Sequence, residues 1–119
     1  NKIDSMNDPD IMEGVLRLQI DELLKMNNVD SLFIPSDRLT ARVYVYLREK
    51  GVDPAAYRII SCNNEEPYLE GLFPHPATID IGAEEIGERA VEQLMNRLTD
   101  REGSTERFMI QPILIEPSS

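Results

Sequence analysis

Two apolar runs in this chain stop on short polar pairs: SLFIP gives way to Ser36 and Asp37, and YRIISC to Asn63 and Asn64. Hydroxyl, carboxylate and amide groups together offer donors and acceptors suited to a hydroxyl-rich ligand. The plainer alternative is local. Ser36 can cap a helix and Asp37 add favourable charge to its first turn, while Asn63–Asn64 can form a turn that tolerates left-handed backbone. These roles are compatible, because a capped, rigid side chain also makes a good ligand contact. A covalent chemistry can be written too, with Cys62 as nucleophile and His75, thirteen residues on, as its base. Yet no helix starts immediately after Cys62, and His75 stands between two prolines, so a buried inert thiol is the expected state. With one histidine and one cysteine, no metal set of recognised spacing exists. There is no glycine-rich phosphate loop, and no cofactor is expected.

These pairs need elements to hold them. Asp8 and Pro9 read as an N-cap and first helical residue. Ile11, Val15, Leu16, Ile20, Leu23 and Leu24 then recur at helical spacing to about Met26. A turn leads into a strand at Ser31–Ile34. The following helix carries Leu39, Val43 and Leu47 four apart and closes at Gly51, suited to a left-handed cap. Tyr57–Cys62 reads as a second strand, apolar as a buried parallel strand should be. One helical turn around Tyr68–Leu72 precedes a third strand, Ala77–Ile81. Gly82 opens a helix with Glu84 and Glu85 in its first turn and a core stripe of Ile86, Ala90, Val91, Leu94 and Leu98. TDREGSTE is a loop, and 107–116 is an extended closing segment in which Pro112 points to an edge strand. Alternating strands and helices predict an α/β fold with a mainly parallel sheet covered on both faces. In such sheets ligands bind outside the carboxyl ends of the strands, where both polar pairs fall.

Composition narrows the partners. The chain has 119 residues, 41% hydrophobic and 29% charged, enough for one core. No apolar stretch approaches a membrane span. Twenty-two acidic against 12 basic residues give a net charge of -10, which repels phosphate backbones; nucleic-acid contact would need a separate basic module. The lone cysteine excludes an internal disulfide and fits a reducing compartment, so the cytoplasm is the expected location.

Four segments in order and spacing resemble the lactose-repressor (LacI/GalR) family of transcriptional regulators. VDSLFIPSDRLTARVYVYLREKGV resembles its strand, Asn/Ser-Asp and helix. YRIISCNNE resembles the strand that ends Gly-aromatic-Asp-Asp. PHPATIDIGAEEIGERAVEQLMNRL resembles the Pro-Leu-Thr-Thr-Val strand and next helix, and FMIQPILIEPSS the closing strand. The resemblance implies a type I periplasmic-binding-protein-like three-layer sandwich. Residues 1–119 would be the C-terminal portion of its effector-binding domain, with helix 83–98 crossing toward the N-terminal lobe and 107–116 closing the sheet. It implies that Ser36, Asp37 and Asn63 contact a small effector, a carbohydrate, and that operator DNA is bound by a helix-turn-helix outside these residues. It implies no catalysis. A homodimer is expected through the helix Arg38–Lys50 and the loop Pro67–Pro74, using Ala41, Arg42, Val45, Tyr68 and Leu72. Tyr44 and Tyr46 beside Val45 spread apolar surface around that helix, where a monomer would be polar.

The sequence departs from the family at informative places. Asn63 and Asn64 replace two acids, Ser61 replaces a glycine, Ile81 and Gly82 replace Gln-Pro, and Glu116–Pro117 alters the terminal motif. The rival readings are a transport-type sugar-binding protein of the same fold and a Cys62/His75 hydrolase.

Overall fold

The computed structural model describes residues 9–100 and 107–117. Asp8 and most of the TDREGSTE loop lie outside that range. Helix α1 spans Pro9–Leu24, strand β1 Ser31–Phe33 and helix α2 Asp37–Glu49. A short 3-10 turn at Pro54–Ala56 leads to β2, Arg58–Cys62, then to α3, Glu66–Leu69, and β3, Ala77–Asp80. Helix α4 covers Ala83–Thr99, and β4 is Ile113–Ile115. The sheet runs β1-β2-β3-β4, parallel through β3, with β4 antiparallel at its edge. Only three residues of the 107–116 segment pair as strand, and pairing starts directly after Pro112, whose missing N–H cannot join a ladder.

Helix α2 follows from its sequence. Ser36 sits in extended backbone (φ -153°) and its Oγ accepts from the Leu39 N–H at 3.1 Å. Lys50 ends the helix and Gly51 takes the left-handed conformation, φ +74°, which is free of steric strain for glycine. The core lies where α1 and α2 meet one face of β1 and β2: Leu16, Ile20, Ile34, Val43, Tyr44, Tyr46, Leu47 and Ile59.

Tyr44 and Tyr46 therefore do not enlarge the solvent face of α2, as the sequence suggested; both are buried. Tyr44 donates to the Pro74 carbonyl at 2.6 Å, and burial pushes its phenol up to about 12, so the donated proton stays. Tyr46 is held by two guanidinium groups, Arg17 at 4.2 Å and Arg42 at 5.2 Å from its ring centre. Arg17–Glu49 (2.9 Å), Lys50–Asp21 (3.1 Å) and Arg42–Glu13 join α1 to α2. These pairs are half exposed, so apolar packing, not charge, carries that junction.

Two further expectations are corrected. Strand β2 is buried on one face only: Ile59 and Ser61 are covered, whereas Ile60 is exposed. Phe33, in register with Ile60, is 62% exposed. Among the described residues that second face stays open at Phe33 and Ile60. In the same way, no residue of α4 is buried. Its apolar stripe exists, with Phe108 and Ile110 beside Ile86 and Ala90. On α1, Ile11 and Val15 are exposed while Leu16 and Ile20 pack. The periodicity is helical as expected, yet each stripe needs a second surface to be buried.

Candidate functional site

Adjacent parallel strands β1 and β2 end on the two polar pairs. Ser36 and Asp37 follow β1, and Asn63 and Asn64 follow β2. What joins the pairs is the Asp37 carboxylate, 0% exposed. Its Oδ1 accepts from Ser61 Oγ at 2.5 Å and Thr78 Oγ1 at 2.9 Å, and its Oδ2 accepts from the Glu65 N–H at 2.5 Å. Ser61 and Thr78 are register partners on β2 and β3, so one carboxylate clamps three strand ends. Thr40 Oγ1 lies 2.6 Å from Ser61 Oγ and 3.0 Å from the Ser36 carbonyl. Because the single Ser61 proton goes to Asp37, Thr40 supplies the proton in whichever of these bonds it makes. Among the described residues no buried side-chain polar atom lacks a partner.

This burial changes what Asp37 can do. Both of its oxygens are engaged inside the protein, leaving it buried while Ser36 and Asn63 are each half-buried. Ser36 is committed as a cap but its hydroxyl proton is not used by that bond. The Asn63 backbone is held at φ +104° and its N–H donates to the Ile79 carbonyl at 2.8 Å. Its side-chain amide bonds to no described residue. Asn64, φ +57°, donates from its N–H to Thr78 Oγ1 and from Nδ2 to Asp80 Oδ2, both at 3.2 Å. Left-handed asparagines in succession fit the turn expected there.

Sequence reasoning missed Ser61, Thr78, Thr40 and Asp80. The available signal was a small hydroxyl residue inside each of two apolar strands, RIISC and ATID, where a polar group must find a buried partner.

Cys62 is half-buried and has no hydrogen bond to His75, whose Nδ1 lies 3.1 Å from the Pro76 carbonyl oxygen. Labelling of native protein with a maleimide is expected at least about ten-fold slower than of a free peptide thiol, since access limits the reaction. An equal rate would revive the nucleophile reading.

A hollow of about 660 Å³ lies elsewhere, between the start of α4 and the segment entering β4. Asp80 and Gly82 line it but neither Ser36 nor Asn63 does, and Glu84, Glu85, Glu88 and Glu92 make it acidic. It is the bare flank of α4, not the place where the polar pairs converge.

A family model described as a periplasmic binding protein-like domain matches residues 3–119. The chain belongs to that family. Its structural neighbours are LacI-family transcriptional regulators, over the effector-binding region. One, from Silicibacter pomeroyi, is 32% identical with a TM-score of 0.66, covering 85% of this chain and 31% of its own. A second, described as a putative LacI regulator from Bacillus cereus subsp. cytotoxis, is 20% identical with a TM-score of 0.76, covering 88% and 38%. A third, from Enterococcus faecalis with bound ribose, is 22% identical with a TM-score of 0.76, covering 90% and 42%. The chain thus spans well under half of each. No curated protein matches it significantly. The α/β class with a mostly parallel sheet is as the sequence implied, and the bare sheet face and bare α4 are those of a partial domain.

Proposed function

We propose that this chain is the C-terminal portion of the effector-binding domain of a LacI-type transcriptional regulator. It would bind a small carbohydrate at the ends of β1 and β2. One observation carries the reading: the buried Asp37 carboxylate ties the ends of β2 and β3 to the start of α2, beside a half-buried Ser36 and a half-buried Asn63 whose amide bonds to no described residue. A hydroxyl and an amide supply donors and acceptors without fixed charge, which suits a neutral polyol. Asp37 serves as the support beneath them. The crevice is open because a second lobe would supply its other wall, and helix Ala83–Thr99 would cross toward that lobe, its stripe buried there. The segment 107–116 would close the sheet.

Effector binding between lobes favours one lobe arrangement, and only that differential affinity can alter DNA binding by a module outside this chain. Ala41, Arg42, Val45, Tyr68 and Leu72 would form a dimer face through which two such modules are spaced.

The test uses the intact regulator and D-ribose, the sugar bound in the Enterococcus faecalis relative, followed by other pentoses and hexoses. Asn63→Ala is expected to weaken calorimetric binding of the accepted sugar by about 1–3 kcal/mol, the cost of a ligand group left unpaired. Unchanged affinity would remove Asn63 from the site. An intact protein that binds sugar but shows no sugar-dependent change in operator binding would favour a transport role.

A further inference from the structure

Asp80, at the end of β3, divides its carboxylate between two elements. Oδ2 accepts from Asn64 Nδ2 at 3.2 Å, and Oδ1 accepts from the Gly82 backbone N–H at 2.8 Å. Asn64 belongs to the left-handed turn that presents Asn63, and its own N–H is fixed on Thr78 of β3. Gly82 is the departure point of α4: its carbonyl accepts the Ile86 N–H at 2.8 Å. It is held at φ +73°, and a Cβ there would stand 2.7 Å from Ile110 Cγ2 on the segment returning to β4. Gly82 is thus a contact between the outgoing and returning segments, at a position with no room for a side chain.

We propose that Asp80 is a positioning residue that couples the Asn63–Asn64 turn to the Gly82 junction from which α4 departs. The coupling follows from the planarity of a carboxylate. Its two oxygens move as one body, so a shift of Asn64 that pulls Oδ2 turns Oδ1 relative to the Gly82 N–H. Ligand capture by Asn63 would shift its neighbour Asn64, and the change would reach the segment that carries α4 away from the sheet. This inference rests on the effector-site reading for its ligand step. The hydrogen-bonded link itself does not depend on it.

The experiment is amide hydrogen exchange on the intact protein, resolved at Gly82, for wild type, Asn64→Ala and Asn64→Asp. Without ligand, Asn64→Ala should speed Gly82 exchange about five-fold, the opening expected from loss of one supporting bond. Asn64→Asp should speed it about ten-fold or more, because it sets a second carboxylate against Asp80. Both variants keep the Asn63 amide. Exchange at wild-type rate in both would overturn the coupling. With saturating D-ribose, wild type should show slowed exchange at Gly82, while Asn64→Ala binds within about three-fold of wild type yet loses that slowing. A variant that keeps the full slowing would also overturn it. Wild type that takes up no D-ribose counts against ribose as effector, and the ligand-free comparison then decides the coupling alone.

Discussion

Replacing Asp37 with alanine should cost the domain about 3 kcal/mol of stability, read as a lowered midpoint in urea unfolding of the intact domain. Three donors converge on this carboxylate from β2, β3 and the turn after β2. Alanine would leave the Glu65 N–H without its acceptor and a void where water has no easy entry. The Ser61 and Thr78 hydroxyls can turn toward each other or toward Thr40, so the loss stays below the sum of three unpaired groups. The isosteric change Asp37→Asn would behave differently. The amide oxygen can still accept the Glu65 N–H while the amide nitrogen donates to a rotated hydroxyl, so this variant should lose only about 1 kcal/mol. A loss below about 1 kcal/mol for Asp37→Ala would mean the three strand ends are held by something else. At the proposed carbohydrate site, Asp37→Ala should also weaken binding through the displaced Asn63, an effect that Asp37→Asn should largely spare.

The helices and strands were legible because their signals are local. Alternation, four-residue spacing, the Ser36 cap and Gly51 all act within one turn. The Asp37 cluster was not, because its partners Ser61 and Thr78 lie 24 and 41 residues away in sequence, and nothing local distinguishes a capping aspartate from a buried clamp. The tyrosines of α2 were misplaced for a related reason. A helix that meets the sheet, α1 and the Pro74 loop at once buries residues well beyond a single stripe, and Arg17 covering Tyr46 comes from another helix altogether. The stripe of α4 was legible as apolar, but burial belongs to pairs of surfaces, and no local signal says whether a partner surface is at hand; among the described residues none of this helix is buried.

At the proposed dimer face, Val45→Asp should weaken self-association of the intact domain by about 100-fold or more, equivalent to about 3 kcal/mol. With Tyr44 and Tyr46 turned inward, the apolar surface on this side of α2 narrows to Val45, 45% exposed. Tyr68 on α3 is also exposed, and so is Phe73, at 79%, whose carbonyl accepts from Arg48 of α2 and so anchors the loop to that helix. An exposed valine and two exposed aromatics around anchored backbone suit the centre of an interface better than solvent. Under two-fold symmetry each substitution occurs twice, facing its own copy or a neighbour of it. A buried aspartate without a partner would then be penalised twice, by desolvation and by like-charge repulsion. Arg42 offers little relief, being held by Glu13 and Tyr46 of its own chain. Ala41 is half-buried beside it, so Ala41→Asp serves as a second probe of the same surface. Sedimentation at micromolar concentration separates the outcomes. A wild-type monomer rejects the interface, since the exposed patch would then pack on another part of the same chain. A wild-type dimer undisturbed by Val45→Asp puts the two-fold contact on a different face.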